Sequence, residues 1–156
     1  MPPDEAQGLI RRFGISAGDK FLVHVGWDLA RKNRRKVLET FIALHERAEA
    51  SGRPAPVEQL LFIGPELVPE MAELARKHGV ADRIKTVQGV SHEELRALYA
   101  SATALLFPSL QEGFGWPVIE AQACGCPGLH LRPGADERDR RRRRGLRGPP
   151  TTPTPW

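Results

Sequence analysis

The sequence has no apolar run of about 18 residues, the length a membrane-spanning helix needs, so no transmembrane segment is expected. It has two cysteines, Cys124 and Cys126, one residue apart. They are too close for an ordinary disulfide and lack Cys-x-x-Cys spacing, so they read as small packing residues near a helix end. No Gly-x-Gly-x-x-Gly occurs after the first strand pattern, where Gly26-Trp27-Asp28-Leu29 stands instead, which argues against a dinucleotide oxidoreductase. No Asp-x-Asp pair offers a metal site, and no segment repeats. The polar start Met1-Pro2-Pro3-Asp4-Glu5 lacks a signal pattern, making the cytoplasm the expected compartment.

What is present divides sharply by charge. The whole chain, 156 residues long, carries a net +4, but residues 128–156 alone hold eight Arg against three acids. Residues 1–127 therefore hold 15 basic and 16 acidic side chains, a net charge of −1. The last segment has no Lys, five Pro and one aromatic, Trp156. Such a segment has too little apolar surface to fold, so 128–156 reads as a disordered tail. Without interleaved aromatics it does not read as a nucleic-acid binder.

The remainder alternates strand and helix patterns. Residues 1–20 read as a linker with a short helical stretch from Glu5 to Phe13, and 21–127 as one domain. Phe21–Val25, Gln59–Ile63, Ile84–Val87 and Ala104–Phe107 read as buried strands. Helices are expected over roughly 34–50, from Pro69 to His78, over 92–101 and over 117–124. Ser91-His-Glu-Glu94 is a capping box, with Val90 placed to staple onto Leu95. This alternation indicates an α/β doubly wound parallel sheet in the order 3-2-1-4. No fifth strand is legible after Pro127, which would leave an unpaired edge. In that order the loop Gly26–Asn33 faces the loop Gln111–Gly115 across the crevice at the strands' carboxyl ends.

The second of those loops carries the most information. Glu112 and Glu120 bracket Gly113-Phe114-Gly115 where a strand hands over to a helix. Backbone N–H groups at a helix start favour an anion, and glycines let backbone approach a ligand closely. A carboxylate accepts two hydrogen bonds from a vicinal diol. Two carboxylates around an anion-friendly loop suit phosphates flanked by sugars, which describes a nucleotide sugar. Opposite lies Arg31-Lys32-Asn33-Arg34-Arg35-Lys36, whose charge opposes the helix dipole unless an anion binds. The plainer readings are a solvated basic face, an exposed loop acid at Glu112 and a surface acid at Glu120.

These segments resemble the Glu-x7-Glu motif and donor-binding domain of family 4 retaining glycosyltransferases, which have the two-domain GT-B fold. The resemblance rests also on Phe21-Leu-Val-His-Val-Gly26, Arg31-Lys-Asn33, Leu60-Leu-Phe-Ile-Gly64, Gly89-Val-Ser-His-Glu-Glu-Leu95 and Ala123-Cys-Gly-Cys-Pro127. It implies a Rossmann-like C-terminal half, incomplete at its C-terminus, that would lack the acceptor domain. It implies a nucleotide-sugar donor with no cofactor or metal, and a glycan or lipid-linked acceptor. Arg-Lys-Asn with Glu-Gly-Phe-Gly resembles mannosyl transferases of surface-polysaccharide synthesis, implying GDP-mannose and, for the full-length enzyme, a position against the inner membrane. By the same resemblance Glu112 contacts the donor sugar, Lys32 and Arg31 hold the diphosphate, and Glu120 holds the ribose. Gly26, Val90, Gly113, Phe114 and Gly115 complete the donor site, with Val90 as a wall for the base. Trp27 stands where many members have an Arg, a role left to Arg31. A non-catalytic nucleotide-binding module that needs a partner chain is the alternative. His24 reads as a satisfied core histidine, His92 as exposed, and Tyr99 as core.

Overall fold

In the computed structural model of the chain, residues 3–110 and 114–130 are described. Strands β1 (Phe21–Val25), β2 (Gln59–Ile63), β3 (Ile84–Val87), β4 (Ala104–Phe107) and β5 (Gly128–His130) form one parallel sheet, in the order β3-β2-β1-β4-β5. Helices α1 (Pro3–Ile10), α2 (Arg34–Ala50), α3 (Pro69–Lys77), α4 (His92–Ser101) and α5 (Trp116–Ala123) cover its faces. A short 3-10 turn, Arg11–Phe13, follows α1. No helix among the described residues is long and apolar enough to cross a membrane.

Alternation along each strand divides the core in two. Phe21, Val23, Leu61, Leu105 and Phe107 face one layer, which α1, α4 and α5 complete through Ile10, Leu98 and Ala121. Leu22, Leu60, Phe62, Ala104 and Leu106 face the other, closed by Val37, Leu38 and Phe41 of α2 and Met71 of α3. Side chains point to opposite faces with period two, so a strand buried on both faces must be apolar throughout. His24 is the polar exception in β1. It is fully buried, with Nδ1 2.9 Å from the Leu106 carbonyl, and as that oxygen only accepts, Nδ1 carries the proton. The core-histidine expectation therefore holds.

One expectation is corrected. A fifth strand does form, with Gly128, Leu129 and His130 opposite Leu105, Leu106 and Phe107. The ladder is seeded where the Leu105 N–H donates to the Pro127 carbonyl at 2.8 Å. It needs backbone only, so side-chain pattern gave no warning of it. The tail boundary at 128 is therefore too early, and the edge of β4 is paired rather than open. Residues 131–156 lie outside the described residues.

The capping box at α4 is present as expected: the Glu94 N–H donates to Ser91 Oγ at 3.2 Å and the Ser91 N–H to Glu94 Oε2 at 2.8 Å. Glu94 serves a second purpose. Arg12 pairs with its carboxylate through Nε and, at 2.7 Å, through Nη2, which also donates to the Gly89 carbonyl at 3.2 Å. This ties the segment after α1 to the start of α4 and to the loop after β3. The Arg12 guanidinium, helped by the Ser91 N–H, holds the Glu94 carboxyl at about 2 instead of the usual 4.5.

A depressed carboxyl stabilises the fold above its unfolded value and loses that effect as pH falls through its folded value. Glu94→Gln keeps an N3 residue able to serve the capping box, yet removes the charge. The variant should melt below wild type at neutral pH, with the gap closing as pH falls from about 4.5 towards about 2. Thermal melts across that window check this; a gap independent of pH would contradict it. In the core, Phe41→Ala should cost about 3–5 kcal/mol by denaturant titration, since the ring is fully buried.

Candidate functional site

Parallel pairing of β1 with β4, Leu22 opposite Ala104 and Val23 opposite Leu105, brings the loops that follow these strands together. Two hydrogen bonds then lock them. Asn33 Nδ2 donates to the Pro108 carbonyl at 3.1 Å, and the Leu110 N–H donates to the Arg31 carbonyl at 2.8 Å. Asn33 takes a left-handed backbone, φ 54°, just before α2. Asn tolerates that region because its short side chain finds a local partner. Sequence reasoning gave Asn33 no role of its own, although its place before a helix was a signal.

The basic run divides once folded. Arg34 is 2 % exposed, donates to the Pro65 carbonyl at 2.6 Å and the Glu66 carbonyl at 3.4 Å, and stacks over the Phe62 ring at 4.8 Å. Burial lowers its pKa, opposed by the charges of Asp28 and Glu66. Arg35 and Lys36 pair with Glu39 one turn along α2, at 2.9 and 3.5 Å. Arg31 and Lys32 lie in a 3-10 turn (Ala30–Lys32) at the crevice. Arg31 is exposed and Lys32 half-buried, with Nζ 4.8 Å above the Phe107 ring. These two residues lie in the loop after β1, which the Leu110 N–H joins to the chain after β4. Arg34 is a structural cation that sequence reasoning missed.

Lys32 lies along Gly26, where an added Cβ would meet its Cγ and Cδ at 3.3 Å. Gly26 is in turn crowded by Gly64, whose φ is 149°; a Cβ there would stand 2.4 Å from the Gly26 carbonyl oxygen. The Gly26 N–H donates to the Ile63 carbonyl and the Gly64 N–H to that of Val87, at 3.0 and 2.9 Å. The three strand ends thus close ranks, and above them lies a cleft of about 310 Å³. Gly26, Trp27, Pro65, Gly89 and Val90 line it. Trp27 is 73 % exposed, a large apolar side chain standing over this cleft.

Across the crevice, Gly115 (φ 76°) stands at the amino end of α5, which no side chain among the described residues caps. The exposed rings of Phe114 and Trp116 pack on each other, centroids 4.8 Å apart. Glu112 and Gly113 lie outside the described residues. Gly26 and Val90 are thus brought to one cleft, with Lys32 alongside Gly26 and Arg31 tied to the facing loop. Glu120 belongs to a different hollow, about 450 Å³ between α4 and α5, which it lines with His92, Arg96, Tyr99 and Cys124. Cys126 is a buried packing residue as expected, its thiol pushed up by burial. Among the described residues no three His, Cys, Asp or Glu side chains cluster as a metal site.

Replacing Gly64 by Ala forces a positive φ on a residue with a Cβ and drives it into the Gly26 carbonyl. Gly64→Ala should destabilise by about 1–3 kcal/mol. Gly8→Ala, in open space on α1, should stabilise by about 0.5–1 kcal/mol. Denaturant titration of the two variants beside wild type checks the contrast; a neutral Gly64→Ala would show that the strand ends are not so closely packed.

Comparison with known proteins agrees with this arrangement. Residues 7–132 match the sequence model of the family described as Glycosyl transferases group 1. The 2-deoxystreptamine N-acetyl-D-glucosaminyltransferase of Streptomyces fradiae is 32% identical over 124 residues, which cover 79% of this chain and 28% of the relative. The MMP alpha-(1->4)-mannosyltransferase of Mycolicibacterium hassiacum is 46% identical over 63 residues, 40% of this chain and 15% of the relative. Among solved structures, WaaG, a glycosyltransferase involved in lipopolysaccharide biosynthesis, superposes with a TM-score of 0.65 at 26% identity, covering 83% of this chain and 33% of WaaG. The chain thus spans a third or less of the length of these proteins. Its parallel sheet with flanking helices is the Rossmann-like fold of GT-B glycosyltransferases, and the chain belongs to the group 1 glycosyl transferase family.

Proposed function

We propose that this chain is the donor-binding half of a family 4 retaining glycosyltransferase that moves a hexosyl group from a nucleotide sugar to a glycan or lipid-linked acceptor. The observation that carries this reading is the locked pair of loops at the carboxyl ends of β1 and β4, with Lys32 held beside Gly26. On this reading a diphosphate lies between Lys32, Arg31 and the start of α5 at Gly115, and the family resemblance gives Gly113 a share in holding it. The base fits the cleft of Gly26, Trp27 and Val90. On the family resemblance, Glu120 accepts from the ribose hydroxyls and Glu112 contacts the donor sugar at its reacting carbon, with Phe114 beside it.

In this mechanism the bond between the sugar's anomeric carbon and the diphosphate oxygen breaks while an acceptor hydroxyl attacks from the same face. The electron pair leaves with the diphosphate, whose departing oxygen takes the proton of the acceptor hydroxyl. Cations placed in advance at that developing charge lower the barrier without taking a proton, and Lys32 and Arg31 supply them. The reading calls for no resident cofactor or metal. GDP-mannose is the donor we propose, on the likeness of Arg31-Lys32-Asn33 and Glu112–Gly115 to mannosyl transferases and on the mannosyltransferase relative. We place the full-length enzyme in the cytoplasm, peripheral to the inner membrane.

Lys32→Ala should weaken nucleoside diphosphate binding by about 1–3 kcal/mol, the scale of a charge-assisted hydrogen bond. Calorimetry with GDP and UDP reads this directly, and unchanged affinity would remove Lys32 from the site. On the family resemblance the acceptor binds a separate domain, and alignment of the acceptor supplies much of the rate. Given labelled donors and a panel of acceptors, the 156-residue chain should therefore show at most slow donor hydrolysis. Robust transfer, abolished by Glu112→Ala, would contradict that expectation.

A further inference from the structure

Tyr99 carries a hydroxyl that core packing does not account for. The residue is 1 % exposed and its ring packs in the layer under α4 and α5. Its hydroxyl is buried and meets no hydrogen-bond partner among the described residues. A buried hydroxyl left unpaired is costly, and a phenylalanine would fill the same volume without that cost. The residue also lines the hollow of about 450 Å³ between α4 and α5, on whose other wall stands Glu120. No fully formed hydrogen bond joins the hydroxyl to the Glu120 carboxylate, yet that carboxylate is near enough to act on the phenol. After burial it is the largest influence keeping Tyr99 protonated. Glu120 itself is exposed on α5, so its side chain has rotamers to choose among.

We propose that Tyr99 is a positioning residue: a turn of the exposed Glu120 side chain brings one carboxylate oxygen to the buried hydroxyl, which donates to it and holds that carboxylate ready for the ribose of the nucleotide donor. The inference rests on the functional reading above and adds to it a residue which that reading does not use. The chemistry balances. A phenol has one hydrogen to donate, and a carboxylate has about four acceptor positions. One is given to Tyr99, leaving enough to accept from both hydroxyls of a vicinal diol. Fixing Glu120 in advance removes a rotamer cost that binding would otherwise bear. The Tyr99 ring is anchored in the core, so the hydroxyl is held more firmly than any surface donor.

The test separates ribose recognition from stability. Calorimetry on the full chain would compare GDP and UDP with their 2′,3′-dideoxy counterparts, for wild type, Tyr99→Phe, Glu120→Ala and the double variant. Wild type should prefer the ribonucleotides. Tyr99→Phe should weaken them by about 3- to 10-fold, the net scale of one hydrogen bond, and leave the dideoxy forms unchanged. In the Glu120→Ala background the same change should have no further effect, since the hydroxyl acts through Glu120. Glu120→Ala alters an exposed side chain and keeps the fold, so the cycle remains readable. Equal losses for ribo and dideoxy forms, or additive losses in the double variant, would overturn the inference and leave Tyr99 a core residue. A Tyr99→Phe protein with the full wild-type ribose preference would do so as well, while leaving the functional reading intact. A wild type blind to the ribose hydroxyls would remove Glu120 from the nucleotide site and this inference with it.

Discussion

Adjacent parallel pairing of β1 and β4 governs how this molecule is arranged. Two strands far apart in the chain lie side by side and run the same way, so the loops leaving their carboxyl ends must share one crevice. The hydrogen bonds from Asn33 to Pro108 and from Leu110 to Arg31 turn that proximity into a fixed geometry. Each loop then limits where the other can go. Lys32 lies against the bare backbone of Gly26 with its ammonium group over the Phe107 ring, so its position is set by both strands.

The same constraint explains how the basic run is distributed. A cation at a helix start faces the positive end of the dipole, so a run of them needs compensation. Arg34 finds it in the Pro65 and Glu66 carbonyls and thereby stitches α2 to the loop after β2. Arg35 and Lys36 find it in Glu39. These pairings spread the charge over the surroundings of the site, while Arg31 and Lys32 sit in the turn before α2. On the opposite face of the sheet, Arg12 and Glu94 fasten the start of α4. Val90, one residue before the helix cap, is thereby held at the mouth of the cleft.

Much of this was legible in the sequence. Strands buried on both faces are unbroken apolar runs, so Phe21–Val25 and Ala104–Phe107 stood out, and the capping box at Ser91 fell on the residues that form it. The order of the first four strands followed from strand-helix alternation. β5 was not legible, because Gly128–His130 pairs through backbone and carries little apolar pattern of its own. Arg34 was hidden by its company: in a basic run nothing distinguishes the one member that is buried from those on the surface. Tyr99 read as core, which its ring is, but sequence does not report that a hydroxyl ends beside a carboxylate on another helix. Glu112 and Gly113, prominent in the sequence, fall outside the described residues, and their role rests on resemblance.

The central claim is that a nucleoside diphosphate binds at the carboxyl ends of the strands, across the locked loops. Titrating the 15N-labelled chain with GDP or UDP and following backbone amide resonances tests this most directly. The account predicts that the largest shifts fall on Gly26, Lys32, Gly89, Val90 and Gly115. A second hollow, about 350 Å³, lies at the opposite ends of the strands and is lined by Ser16, Gly18, Asp19 and Thr103. Shifts confined to that end, or none at saturating nucleotide, would contradict the account.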